Sequence, residues 1–227
     1  MARAERALGV QSKSLALSQN FLQYQSDEVV FRGNWFFDEF RRWGAVIKAL
    51  SRYDVLHFNS GTSLLPVRVD PAYSSSGYPP WFRHAYNLVY AGWAELLDVA
   101  WAHRLGKVIA VTYQGDDARQ GDFCRQHYPI HFVREVGEGY YSDFSDQLKR
   151  ERITVFDRYA DLIYAVNPDL LNVLPKRARF IPYAHVNLES WQPVWSKEAI
   201  PAIPHVVHAP THRLVKGSRF IIDALNR

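Results

Sequence analysis

Helical and extended periodicities take turns along most of this chain, and that alternation restricts the fold more than any other feature. Asn34 stands where a helix cap belongs. After it Phe36, Phe37, Phe40, Trp43, Val46, Ile47 and Leu50 recur at helical spacing. Residues 53–58 (YDVLHF) read as a buried strand, with Asn59, Ser60, Gly61 and Thr62 as the loop at its carboxyl end. A long helix is expected over 81–105, stopped by Gly106, and then the clearest strand, 107–112 (KVIAVT). That strand opens into Gln114, Gly115, Asp116, Asp117, Ala118 and Arg119. Residues 144–160 read as a helix, 162–166 as a strand, Pro168 as the start of a short helix and 179–182 as a last short strand. Upstream, 3–8 is helical with Gly9 as its stop, and 14–17 and 28–31 are short extended segments. Residues 70–80 read as a surface loop, and 122–141, which lack periodicity, as an irregular excursion.

Short connections between alternating elements call for an α/β protein, a Rossmann-like parallel sheet with helices on both faces. Ligands in such sheets sit off the carboxyl ends of the strands. The two loops that qualify are 59–62 and 114–119. Both are polar and contain glycine.

A length of 227 residues allows one large domain or two small ones, and 48% apolar residues suffice for a substantial core. Seven Trp suit either a sugar-stacking surface or, more commonly, core packing by aromatic-rich helices. Cys124 is the single cysteine, which excludes an intrachain disulfide and points to a reducing, cytoplasmic setting. No apolar run approaches the roughly 20 residues of a membrane span. The first ten residues lack the apolar stretch of a signal peptide. The net charge of +4 permits attraction to nucleotides, nucleic acid or anionic lipid, and of these a nucleic-acid partner is not expected. The densest basic clusters are 149–152 (KRER) and 176–179 (KRAR). For the first, a solvated helix face is as good an account as a peripheral contact with the inner face of the membrane.

Near 191–204 the composition turns to Pro, Trp and Ser, which marks a linker. A second alternating unit follows: a strand-like run at 205–209, a turn carrying Arg213, Lys216 and Gly217, and a helix that runs to the last residues. Strand, basic turn and helix N-terminus form a site for an anion such as a diphosphate. A surface turn with solvated cations has the same pattern. With no strand after that helix, the chain is expected to be part of a larger α/β protein.

Other constellations carry less. Asp116 and Asp117 are adjacent carboxylates at a strand end, suited to a metal or acid/base role or to capping the next turn. Cys124-x2-His127-x3-His131 has ligand-like spacing but a single thiolate, and no metal is assigned. There is no G-x-S-x-G elbow, no G-x-G-x-x-G and no P-loop, which argues against hydrolase, dinucleotide-dehydrogenase and P-loop readings.

Four segments together resemble a known family: 53–61 (YDVLHFNSG), 106–119 (GKVIAVTYQGDDAR), 159–193 (YADLIYAVNPDLLNVLP…RFIPYAHVNLESWQP) and 208–225 (HAPTHRLVKGSRFIIDAL). Their order and spacing resemble the large "group 1" family of retaining glycosyltransferases of the GT-B fold. In that family two Rossmann-like domains face each other across a cleft. The resemblance implies an acceptor-side domain over 1–198, without its first strand, and the beginning of a nucleotide-sugar-binding domain over 199–227. It implies a hexosyltransferase that uses a nucleotide-diphosphate sugar as co-substrate, no other cofactor, and a saccharide or lipid-linked acceptor. Arg213, Lys216 and Gly217 match the place that contacts the donor diphosphate. Asn59, Ser60, Gly61, Gln114, Gly115, Asp116, Asp117 and Arg119 match the acceptor side of the cleft.

Departures from the family pattern limit what is carried over. Two residues rather than four separate Arg213 from Lys216. Tyr113-Gln114-Gly115 occupies the place of a histidine near the reacting sugar, and Tyr183-Ala184-His185-Val186-Asn187 that of an Asn-Gly-Val-Asp motif. No catalytic residue is therefore assigned, and by the same resemblance a paired-glutamate donor motif lies beyond Arg227. The chain by itself is expected to lack transferase activity. The alternative is a non-catalytic Rossmann-like module that holds a saccharide or a protein through aromatics such as Tyr73, Tyr78 and Trp81.

Overall fold

The computed structural model describes residues 2–19, 25–72, 79–137, 139–183 and 207–226. In chain order the helices and strands are α1 (Ala2–Ala7), β1 (Leu15–Ala16), β2 (Glu28–Val29), α2 (Trp35–Arg52), β3 (Val55–Phe58), α3 (Pro80–Tyr86), α4 (Gly92–Ala94), α5 (Leu97–Arg104), β4 (Val108–Tyr113), α6 (Gly121–His127), α7 (Asp143–Tyr159), β5 (Leu162–Ala165), β6 (Arg179–Phe180) and α8 (Ser218–Leu225). A π-helical turn, Asn87–Ala91, joins α3 to α4, and single 3-10 turns occupy Phe132–Arg134 and Pro168–Asn172.

The fold is α/β. Strands β3, β4, β5 and β6 form a four-stranded parallel sheet in that order, with Phe58 opposite Val111 and Val111 opposite Ile163. Strands β1 and β2 make a separate parallel pair. A cavity of about 160 Å³ lies where Leu15 and Glu28 of that pair approach β3 and α2.

Because the four strands follow chain order, every crossover steps the same way. Right-handed connections then place α5 and α7 on one face. Val99 and Ala102 of α5 and Ile153 and Phe156 of α7 bury Phe58, Ile109, Val111, Tyr113, Ile163 and Ala165 there. The opposite face is covered in part, since Ala110 and Thr112 of β4 are buried there. On the opposite face Val55, Val108 and Leu162 remain exposed. There Nε2 of His57 lies 2.8 Å from Oγ1 of Thr112.

The expected helix over 81–105 is broken, and buried polar groups break it. The Asn87 side chain holds both backbone groups of Val69, accepting from its N–H (3.0 Å) and donating to its carbonyl (2.7 Å). The backbone there widens into the π turn. At Gly92 any Cβ would sit 2.5 Å from the Asn87 carbonyl, so the close approach requires glycine. Leu96 then adopts φ 59°, a conformation a leucine rarely takes. On either side of it the Glu95 carboxylate grips Arg68 and Arg152, and buried Asp98 accepts from Ser63, Leu64 and Val99. These contacts anchor residues 63–69 against the helices and outweigh helical continuity.

Within 122–141, expected to be irregular, α6 forms over Gly121–His127. Its Asp122 N–H is received by the fully buried Asp146 of α7 at 3.0 Å. The Cys124 side chain packs with Val133 and Tyr141, and the His127 ring stacks on Phe123. Cys124, His127 and His131 do not converge. The linker at 191–204, the boundary at 198/199, Tyr73, Tyr78 and 184–187 lie outside the described residues. Residues 207–209 form no strand, so within the described part the strand expected at 205–209 is not seen.

Candidate functional site

The carboxyl edge of the sheet is a continuous polar network. At the end of β3, Asn59 accepts from the Gln114 side-chain amide (2.8 Å), and the hydroxyls of Ser60 and Thr62 are 2.6 Å apart. The Gln114 carbonyl at the end of β4 accepts from the Asn167 amide at the end of β5 (2.6 Å) and from the Tyr183 hydroxyl (3.2 Å). Three adjacent strand ends are thereby tied side by side.

The two neighbouring carboxylates diverge. Asp117 turns inward and accepts backbone N–H groups from Gly61 (3.0 Å), Gln114 (3.0 Å) and Gly115 (2.7 Å), so it fastens the β3 and β4 loops together. Gly61 is buried against it. A Cβ there would lie 2.6 Å from a ring carbon of Tyr113 and 3.2 Å from the Asp117 carbonyl. Gly61 and Asp117, expected to line the cleft, are therefore framework. Asp116 turns outward, where Tyr141 (2.6 Å) and Tyr140 (2.8 Å) donate to its two oxygens. Arg119 bridges Asp116 at 3.4 Å and Asp169 at 2.8 Å. The pair is not arranged to share a cation, and among the described residues no three His, Cys, Asp or Glu side chains are grouped to hold a metal.

The cluster at 149–152 is not a solvated basic face. Lys149 is largely buried and donates to the Arg119 carbonyl at 2.8 Å, with its ammonium 4.1 Å from the centre of the Tyr141 ring. Burial pushes its pKa down. Arg150 pairs with Asp122, and Arg152 with Glu95. These cations support the edge from beneath, which leaves little of the cluster for a membrane.

The basic turn stands apart from the sheet and leans on the tyrosine segment. His212 packs its ring against Tyr140 at 5.6 Å, and Arg219 pairs with Glu135 at 2.8 Å. Gly217 takes φ 65°, which begins α8 in a left-handed step that glycine makes without strain. Ser218 is buried and its hydroxyl lies 2.8 Å from His208 Nε2. Arg213 and Lys216 are exposed, and neither has an ion-pair partner among the described residues. Arg213 and Gly217 line a cavity of about 180 Å³ with Glu135, Leu214, Ser218, Arg219 and Ile222.

No family model, curated protein or solved structure matches this chain. The structure brings Asn59, Gln114, Asp116 and Arg119 together and connects them, through Tyr140, to the turn that carries Arg213 and Lys216. Sequence reasoning missed Tyr140, Tyr141, Asn167, Asp169 and His212. The Tyr-Tyr pair inside an aperiodic stretch and the Asn-Pro step after β5 were the available signals.

Burial pushes the Asp116 carboxyl up. Hydrogen bonds from Tyr141 and Tyr140, with the charges of Arg119 and Lys149, outweigh it and hold the pKa below the ordinary carboxylate value. A depressed folded-state pKa means stabilisation present above the unfolded value, about 3.9, and lost as pH falls through the folded one. Asp116→Asn is thus expected to lower the melting temperature at pH 7 and to match the parent once both are acidified well below pH 4. A difference that persists undiminished in acid contradicts this assignment.

Proposed function

We propose that the chain is the acceptor-side domain of a GT-B glycosyltransferase together with the opening of its donor-side domain. The complete enzyme moves a sugar from a nucleotide-diphosphate donor to a saccharide or lipid-linked acceptor. The observation that carries this reading is the pair of exposed cations, Arg213 and Lys216, without an ion-pair partner among the described residues, at a glycine-initiated helix start beside the polar carboxyl edge of a parallel sheet.

The chemistry follows from charge. When the glycosidic bond to the donor phosphate breaks, the departing diphosphate gains negative charge. Fixed guanidinium and ammonium groups stabilise that charge better than mobile water does. The dipole of α8 adds partial positive charge in the same place, while the N–H groups of Ser218 and Phe220 are held by the carbonyls of Arg213 and Gly217. Asn59, Gln114 and Asp116 supply the donors and acceptors that sugar hydroxyls need, and the Tyr140–His212 contact links the two halves of the site.

Thermal unfolding with millimolar UDP or GDP tests the reading. A bound diphosphate at 100 times its Kd adds about 2.7 kcal/mol of stability. Arg213→Ala removes a charge-assisted contact of about 1.5–3 kcal/mol, so the nucleotide-induced stabilisation is expected to fall to about 0.3–1.3 kcal/mol at the same concentration. An undiminished shift in Arg213→Ala and in Lys216→Ala overturns the diphosphate role. Stabilisation by a saccharide with no nucleotide effect in the parent favours the non-catalytic module instead.

A further inference from the structure

The chain holds two parallel sheets that do not meet. Helix α2 carries the chain from β2, in the small pair, to β3, at the margin of the large sheet. A strand–helix–strand crossover of this kind joins parallel strands of one sheet. Yet no ladder connects β1 or β2 with β3 among the described residues. The cavity lies between them. Lys13, Ser14 and Leu15 form one wall, β3 along its whole length forms the other, and Ala45, Val46 and Ala49 of α2 close one side. Counted out to its open mouth, this groove holds about 830 Å³ of empty space. Helix α2 turns Trp35, Phe36 and Phe40 to solvent and small residues to the groove. The ion pair of Lys48 with Glu28 at 2.5 Å ties the small pair to α2 and so fixes the groove's width.

The backbone decides what fits there. The Val108 N–H donates to the Asp54 carbonyl, and Val55 lies opposite Val108. In a parallel ladder of this register, alternate residues from Asp54 turn their N–H and C=O groups toward β4. Val55 and His57 turn theirs the other way, into the groove. On the facing wall the Glu28 N–H donates to the Ser14 carbonyl and the Val30 N–H to that of Ala16. Leu15 therefore points its backbone groups away from β2. Among the described residues no hydrogen bond reaches the backbone of Leu15, Val55 or His57. Two rows of unpaired donors and acceptors thus border one largely apolar groove. A lipid tail would satisfy neither row, whereas a single extended polypeptide satisfies both.

We propose that this groove binds an extended, apolar segment of a partner polypeptide as one strand, parallel to β1 and β3 and hydrogen-bonded to both. The bound strand joins the two sheets into one. Ala45 and Ala49 leave room for branched apolar side chains on its α2 side. Lys13, which has no ion-pair partner among the described residues, suits a carboxylate near the amino end of the incoming strand. The inference does not rest on sugar transfer.

The test is amide hydrogen exchange of the 227-residue chain with the capped peptide acetyl-Glu-Val-Ile-Val-Val-Gly-Glu-amide as probe. In the chain alone, the amides of Val55 and His57 should exchange freely while those of Leu56 and Phe58 are protected. Saturating peptide should slow Val55 and His57 by about tenfold or more. The same peptide N-methylated at alternate residues cannot pair and should leave them unchanged. Val55→Pro deletes an N–H that β4 does not use, so it should keep the parental melting temperature and weaken peptide binding by roughly two- to tenfold. No slowing by the peptide, equal slowing by the N-methylated form, or unaltered binding by Val55→Pro overturns the proposal. So does protection of Val55 and His57 in the chain alone. With a dimer in light scattering, that protection means a second copy fills the groove, and without one it means the edge is already paired within the chain.

Discussion

Asp117→Ala is expected to lower stability by about 3 kcal/mol, because one carboxylate satisfies three backbone donors on two loops. Each hydrogen bond to a charged acceptor contributes about 1.5–3 kcal/mol, and the three are not additive since they share one group. Alanine also leaves the N–H groups of Gly61, Gln114 and Gly115 facing an apolar methyl. Gly61 and Gly115 are buried, so water reaches these donors poorly. In a chain of this size 3 kcal/mol corresponds to a fall in melting temperature of about 6–12 °C. Asp117→Asn preserves the shape and one acceptor and should lose roughly half as much. Differential scanning calorimetry of the parent and both variants decides the matter, and a melting temperature within about 2 °C of the parent for Asp117→Ala sinks the role. The consequence reaches the site, because Asn59 and Gln114 meet only while the two loops are clamped.

Much of the frame was legible because local signals agreed with the tertiary packing. The Asn34 side chain accepts from the Phe37 N–H as the cap of α2, and Gly106 turns left-handed at φ 69° just before β4. Strand β4 is buried from Ile109 to Tyr113, as its apolar run implies. The features that escaped are those made by partners distant in sequence. Nothing near Leu96 signals a left-handed turn. The break arises because Glu95 meets Arg68 and Arg152, and Asn87 meets Val69. Likewise Asp117 was readable as polar, but one of its three donors, Gly61, lies 56 residues away on the other loop. The basic cluster at 149–152 read as a surface because charge predicts solvent. Lys149 is instead held under Arg119 and Tyr141 by specific partners. The reverse error occurred on α2, where helical spacing was correct but the aromatic side turned outward. Periodicity identifies a face without saying what that face meets.

Phe156→Ala should be the most damaging single substitution in the core beneath the sheet, at about 3–5 kcal/mol. Its ring has no exposed surface and makes edge-on contacts with Phe58 at 5.6 Å and Tyr113 at 6.3 Å, one ring on β3 and one on β4. Phe156 also sits on α7, so it is the point where the helix, both strands and their carboxyl ends meet. Removing it opens a cavity that Tyr113 cannot easily fill. Gly61 already lies against that ring, and the buried Tyr113 hydroxyl finds no partner among the described residues. Tyr113 would have to swing toward the cavity and withdraw support from the loop at Gly61. Phe156→Leu retains most of the volume and should cost well under half as much. Urea unfolding of both variants measures the loss. Hydrogen exchange at Gly61, Gln114 and Gly115 shows whether it spreads to the edge. Destabilisation with unchanged protection at those amides would mean that the core and the site are mechanically separate. Faster exchange there, in step with the loss of stability, would mean that the aromatic stack under the strands holds the polar edge in register.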